Sequence, residues 1–203
     1  MVEISPLTKD NAHAFFDFFD NRAFTDHAEW SCCYCTYYHV CSEDEKAFGE
    51  QIEAAGGGVD GLRTTLRGAA AQFIEDGTLR GYLAFADGLP VGWVNANDKT
   101  SYKRFDHDDR LSAFIRGDNA ERVKSITCFT IAPEFRGQGI ASALLERVVS
   151  DARADGYPAV EGYPRAHDKR EPFDFYGPNH MYEKSGFTKA RETGNVAVMR
   201  KVL

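Results

Sequence analysis

Long apolar runs are missing from this chain. Its most hydrophobic early stretch, Phe15 to Phe19, is broken by Asp17 and closed by Asp20. That falls well short of the ~20 apolar residues a membrane helix needs, so no membrane partner is expected. A basic surplus is missing as well. The 203 residues carry 24 lysines and arginines against 31 aspartates and glutamates, a formal charge of −7, which disfavours electrostatic capture of nucleic acid. The opening Met1-Val2-Glu3-Ile4-Ser5-Pro6 has neither a basic start nor an apolar stretch ahead of a small-residue cleavage site. No secretion signal is read there, and a cytoplasmic address is expected. A spaced disulfide framework is also lacking: cysteines number five, and Cys32, Cys33, Cys35 and Cys41 crowd into ten residues, unlike the pattern of a disulfide-stapled domain.

What is present fits an ordinary globular chain, with 43% hydrophobic and 27% charged residues, enough to bury a core without staples. Residues 2 to 7 predict a strand. Thr8 or Asp10 then caps a helix whose apolar face is Ala12, Phe15, Phe16 and Phe19. From 21 to 42 the periodicity fails in a segment rich in aromatics, cysteine and histidine, read as a structured loop or short helix. Helical spacing returns at Ala47 to Ala55 and at Leu62 to Ile74, separated by Gly56-Gly57-Gly58. Tyr82 to Ala86 and Pro90 to Asn95 flank Asp87-Gly88 as a hairpin. Residues 97 to 121 read as a long polar connection. Strands follow at Val123 to Ile131 and Ala159 to Tyr163, with a helix between them that Gly156 ends. Pro178 opens a short helix that Gly186 stops, and strands at Phe187 to Glu192 and Val196 to Val202 surround a Thr193-Gly194-Asn195 turn. With no repeat or linker, the expectation is one α/β (α+β, mixed-sheet) domain over 1–203, with helical insertions at about 43–80 and 97–121.

The strand, glycine-rich turn and helix at 123–155 carry the strongest chemical signal. Glycines without Cβ let backbone N–H groups approach a phosphate at a helix N-terminus. Arg136-Gly137-Gln138-Gly139-Ile140-Ala141 is not a P-loop, lacking the Lys-Ser/Thr pair, and it lacks the three-glycine spacing of a dinucleotide site. The stretch resembles the pyrophosphate loop of the GNAT superfamily of acyl-CoA-dependent N-acyltransferases, Arg/Gln-x-x-Gly-x-Gly/Ala, at Arg136, Gly139 and Ala141. Ile131-Ala132-Pro133-Glu134-Phe135 resembles that family's approach to the loop. Tyr182-Glu183-Lys184-Ser185-Gly186-Phe187 resembles its late Y-E-K-x-G-F element, and Trp30-Ser31-Cys32-Cys33-Tyr34-Cys35 resembles a W-x-x-C-Y-C segment of some bacterial members.

The resemblance implies a GNAT-like fold and acetyl transfer from acetyl-CoA, as co-substrate, to an amine acceptor of a small molecule, peptide or protein. It implies that Gly137, Gln138, Gly139, Ile140, Ala141 and Ser142, with Arg136, hold the pyrophosphate. The pantetheine arm would pair with Phe129, Thr130 and Ile131, and a backbone N–H near Ile131 would stabilise the oxyanion. Tyr182 matches the family tyrosine that protonates the leaving thiolate. Many members place an Asn seven residues before that tyrosine; here the position is Phe175, and Asn179 is the nearest substitute. The region after the first helix, with Trp30, Cys33, Tyr34 and Cys35, is where the family builds its acceptor pocket. A homodimer is left open.

The general base is not fixed by sequence. Glu161, alone in the apolar strand Ala159-Val160-Glu161-Gly162-Tyr163, leads because a carboxylate there is costly unless it faces a cleft. Glu134 and the His167-Asp168 pair stand behind it. The cysteine segment has three readings: zinc ligands with His39, small buried packing residues, or an acceptor-pocket or reactive-thiol role. The competing functional class is a non-catalytic acyl-CoA-binding or redox/metal-sensing module that uses Cys32 to Cys41.

Overall fold

The structure is a computed structural model and describes residues 2–107, 122–167 and 174–203. Asp168 and most of the 97–121 connection lie outside the described residues. The elements run β1 (Val2–Pro6), α1 (Ala12–Asn21), α2 (Ser42–Ala54), α3 (Gly58–Glu75), β2 (Gly81–Ala86), β3 (Leu89–Asp98), α4 (Arg104–His107), β4 (Val123–Ile131), α5 (Ile140–Ala154), β5 (Ala159–Gly162), α6 (Asn179–Lys184), β6 (Thr188–Thr193) and β7 (Val196–Val202). The seven strands form one mixed sheet in the order β1-β2-β3-β4-β5-β7-β6. Among the described residues only β4 with β5 pairs in parallel, as a crossover through α5 allows.

Each face of the sheet carries its own core, as strand alternation dictates. Tyr82, Ala84 and Val94 pack against Ile140, Leu144, Leu145 and Val148 of α5. On the opposite face Leu83 and Trp93 meet Phe15, Phe18 and Phe19 of α1 with Ala70 and Ile74 of α3; the Phe15 ring stands edge-on to Trp93 at 5.0 Å. A β-bulge in β4 changes this phase. Ala96 pairs with Ile126 and Asn95 with Cys128, leaving Thr127 opposite no residue, and the extra residue shifts the alternation by one. Phe129 therefore faces the α5 side, as Ile126 does, while Cys128 turns to the α1 side.

Three details depart from the sequence reading. Asn11, not Thr8 or Asp10, precedes α1. Its side chain accepts from the Thr8 N–H at 2.7 Å and donates to the Pro6 carbonyl at 2.9 Å, closing the turn instead of capping the helix. β3 runs on to Asp98, three residues past the expected hairpin, because Ala96, Asn97 and Asp98 find partners in β4.

The third is His39. It lies wholly buried between Phe73 and Tyr102, with Nε2 3.3 Å from the Asn95 amide nitrogen, so the ring accepts there as the neutral imidazole. Burial lowers its pKa from 6.5 to about 4. The unfolded chain thus takes up a proton first as pH falls. The stabilisation is complete above the unfolded value and is lost as pH drops towards 4, on the order of 3 kcal/mol in all. Denaturant unfolding at about pH 7.5 and about pH 5 is expected to differ by roughly 2 kcal/mol from this group. His39→Gln should flatten that difference, and an unchanged slope in the variant would assign it to other residues.

Candidate active site

Past Ile126 the parallel strands part. β4 and β5 pair only from Val123/Ala159 to Ile126/Gly162, and beyond that Arg165 turns away to bridge Val196 of β7. The exposed edge of β4 and the head of α5 border a cleft of about 720 Å³, within the range of small-molecule and cofactor sites. Phe129, Thr130 and Ile131 line it, as do Arg136, Gly137, Gly139, Ile140, Ala141, Ser142 and Asn179. Of the eleven residues expected to hold the cofactor, only the Gln138 side chain is outside the lining; it folds back to donate to the Glu134 carbonyl at 2.9 Å.

The loop takes its shape from two left-handed residues, Gly137 (φ 75°) and Gly139 (φ 81°), the latter the N-cap of α5. No heavy atom lies within 4 Å of a Cβ built on either. The first bond back to the cap runs from the Ala143 N–H to the Gly139 carbonyl, so the N–H groups of Ile140, Ala141 and Ser142 have no partner within the helix. No acidic residue stands in the first turn of α5 to compete with an anion for the positive end of the dipole.

Arg136 is held in a fork. Its Nε donates to the Ile131 carbonyl at 3.1 Å, and its two terminal nitrogens reach the Asp26 carboxylate at 2.5 and 3.3 Å. These hydrogen bonds keep the Asp26 carboxyl below its usual pKa. A phosphate at the loop would compete with Asp26 for the same guanidinium. Asp26→Asn is expected to tighten acetyl-CoA binding about three- to tenfold at low salt. Equal affinities in parallel titrations would remove Arg136 from the anion site.

The open edge of β4 is not bare. The Phe129 N–H donates to the Phe175 carbonyl at 2.6 Å, and the Tyr176 carbonyl accepts from the Tyr182 hydroxyl at 2.8 Å. Residues 174–177 thus lie along the cleft wall as a strap. Tyr182 is fully buried one position beyond the cleft-lining Met181. Its ring lies on Gly162, where a Cβ would come within 2.5 Å of the hydroxyl. Burial raises its pKa well above the usual phenol value, so the hydroxyl stays protonated, its one proton held on the Tyr176 carbonyl.

Other expected residues lie elsewhere. Glu161 is 1% exposed but does not line the cleft. Its carboxylate meets Lys99 Nζ at 2.8 Å and Arg200 at 2.6 Å and accepts from Tyr163 at 3.2 Å, so the expected base role gives way to a buried ion-pair centre. The isolated carboxylate in an apolar strand has its explanation in two cations brought from other elements.

Of the acceptor-pocket candidates, Trp30 lines the cleft, whereas Cys33, Tyr34 and Cys35 do not. Tyr34 is buried, its hydroxyl donating to Asp20 at 2.6 Å and receiving Arg63 Nε at 3.2 Å. Arg63 is thereby also paired with Asp20 at 3.7 Å. Cys41 sits at the start of α2, where its N–H and thiol both donate to Asp44. Cys35 and Cys33 join the α1-side core.

Sequence reasoning missed His27, Arg165, Asp174 and His180, all of which border the cleft. His27 stacks on Trp30 at 3.9 Å and pairs with Glu29 at 3.1 Å, and Arg165 and Asp174 pair at 3.8 Å. His27 stands three residues before Trp30, the one available hint. With His167, the imidazoles and Asp174 are the proton acceptors that the cleft offers among the described residues.

The sheet thus sets a phosphate-type glycine loop beside the parting of its parallel strands. A family model described as "Acetyltransferase (GNAT) family" matches residues 29–187, and the chain belongs to that family, whose co-substrate is acetyl-CoA. A search of curated protein sequences finds no match. Among solved structures, an N-acetyltransferase from Staphylococcus aureus Mu50 is similar at a TM-score of 0.53 and 14% identity, covering 100% of this chain and 98% of that one. The GNAT domain of S. lividans PAT is similar at 0.53 and 15%, covering 100% and 90%. The paiA N-acetyltransferase from Thermoplasma acidophilum, in complex with coenzyme A, is similar at 0.50 and 12%, covering 100% and 99%. At these identities the likeness concerns the fold. Among the described residues no helix is long and apolar enough to cross a membrane.

Proposed function

We propose that the chain is one N-acetyltransferase domain that moves the acetyl group of acetyl-CoA to an amine of a small molecule, peptide or protein, by direct attack in a ternary complex. One observation carries the reading: a single cleft joins the left-handed glycine loop at the head of α5 to the parted edge of β4. The N–H groups at the start of α5, with Arg136, hold the pyrophosphate. The edge of β4 aligns the amide-bearing arm by strand-like pairing. The Phe129 N–H, bonded to Phe175 in this structure, turns to the thioester oxygen and stabilises the charge that develops there. Binding therefore requires the 174–177 strap to give way. His27, His167, His180 or Asp174 takes the ammonium proton, directly or through water, and Tyr182 returns a proton to the leaving thiolate. The acidic charge of the chain favours approach of a cationic amine.

Calorimetry with acetyl-CoA, desulfo-CoA and adenosine, followed by mass spectrometry of amine mixtures, tests the reading; acetyl-CoA binding with an acetylated product supports it. Tyr182→Phe is expected to lower kcat about 100-fold while CoA affinity is kept. An unchanged kcat with altered KM would leave the hydroxyl as a tether for the strap. The Tyr182 hydroxyl, bonded to the Tyr176 carbonyl on a residue outside the cleft lining, favours one second reading, a non-catalytic acyl-CoA-binding module. Binding without turnover across amine classes would select it.

A further inference from the structure

Behind the cleft, on the α1 side of β4, three sulfurs gather that acetyl transfer does not use. The bulge at Thr127 turns Cys128 to this face. Asn95 pairs with Cys128 across the strands, and its amide donates to the Cys35 carbonyl at 3.3 Å, which seats Cys35 over that strand pair. Cys33, Cys35 and Cys128 pack together in the α1-side core, with the Cys128 sulfur 3.4 Å from the Thr130 hydroxyl. The Trp93 indole N–H in the same core is fully buried with no hydrogen-bond partner. Cys35 also holds a left-handed backbone, φ 57°, an uncommon conformation for a residue with a side chain. All the cysteines are free thiols.

We infer that Cys35 and Cys128 form a redox pair that a hydroperoxide closes to a disulfide, tying the segment that carries Trp30 to β4 one residue from Phe129. The Cys35 sulfur attacks the peroxide O–O bond, giving a sulfenic acid and releasing the alcohol, or water from hydrogen peroxide. The Cys128 sulfur then displaces the sulfenic oxygen as a second water. Two thiols are oxidised, one peroxide bond is reduced, and both thiol hydrogens leave on oxygen. The roles follow from the surroundings. The Cys128 thiol, then burial in opposition, then the Trp93 and Asn95 side chains leave Cys35 with a lowered pKa, as a nucleophilic thiolate requires. Burial and neighbouring sulfurs push Cys33 up to about 12, and the neighbouring Cys35 raises Cys128. Cys35 is buried at 6% exposure between the half-buried Cys33 and Cys128, so only a small oxidant suits it. The inference is independent of acyl transfer.

The test uses the reduced full-length protein, treated with one equivalent of hydrogen peroxide, blocked with N-ethylmaleimide and digested without reductant by chymotrypsin. Cleavage at Tyr34 and Tyr37 separates Cys35 from Cys32, Cys33 and Cys41. The expected result is a Cys35–Cys128 linked peptide two hydrogens lighter than its parts, reversed by dithiothreitol, with Cys33 blocked by maleimide. In Cys128→Ser a sulfenic acid on Cys35 should persist and be trapped by dimedone, and Cys33→Ser should still form the disulfide. Maleimide on both Cys35 and Cys128, or a link that joins Cys33 instead, overturns the inference; the wild-type map decides even if a variant fails to fold.

Discussion

Gly139→Trp should abolish acetyl-CoA binding in a protein that still folds. Gly139 adopts φ 81° at the N-cap of α5, and a Cβ there meets nothing within 4 Å. The backbone strain of an L-residue is about 1–2 kcal/mol, which a domain of ordinary stability survives. The indole, however, projects into the space where a pyrophosphate would meet the N–H groups of α5. Losing two charge-assisted hydrogen bonds at about 2 kcal/mol each corresponds to roughly a 1,000-fold weaker Kd. A matched control lies at the other end of the same helix. Gly156 has φ 71° and equally open space around a Cβ, but it sits roughly 25 Å away along the helix axis. Gly156→Trp should show similar strain in a thermal melt with acetyl-CoA affinity unchanged. If both variants bind like the wild type, the glycine loop is not the cofactor seat. If both lose binding, strain in the helix and not blockage is responsible.

Legibility in the sequence divides along the same physical line. The glycine loop is a local device: two glycines, a following apolar stripe and a preceding strand are contiguous, so its shape and place at the head of a helix are readable without any long-range contact. The hairpin at Asp87-Gly88 and the stripe of α5 are readable for the same reason. Partners distant in sequence are not. Asp26 faces Arg136 because the loop after α1 crosses the cleft rim, and nothing in residues 131–141 announces it. The family resemblance implies Tyr34 and Cys35 at the acceptor pocket, as part of the region after the first helix that also holds Trp30. A 3₁₀ turn at Ala28–Trp30 leaves Trp30 at the cleft, while Tyr34 and Cys35 fall inside the α1-side core. The bulge at Thr127 was equally hidden: Val123 to Ile131 reads as one strand, and the extra residue shows only when β3 is laid against it. That bulge aims both Phe129 at the cleft and Cys128 at Cys35.

Glu161→Ala should unfold the protein more readily, by about 3–5 kcal/mol, the range seen when one partner of a buried ion pair is removed. The carboxylate is 1% exposed, and the side chains it meets, Lys99 and Arg200, are themselves only 7% and 18% exposed. Register alone puts Arg200 opposite it across β5 and β7, while Lys99 comes from the turn after β3. Removing the carboxylate leaves two cations facing one another at a place water barely reaches, and a chain of this length should melt roughly 10 °C lower. Burial lowers the pKa of Lys99, with Glu161 opposing that shift, so the variant also gives the ammonium reason to shed its proton. A general base predicts something different: Glu161→Gln would then cut kcat sharply with little change in Tm. The ion-pair reading predicts a large fall in Tm for both variants and recovery of part of it in Glu161→Leu/Lys99→Met, where apolar groups of similar volume replace the charged pair. Failure of the double variant to recover any stability would mean that Arg200 and Tyr163, and not Lys99, are what the carboxylate chiefly serves.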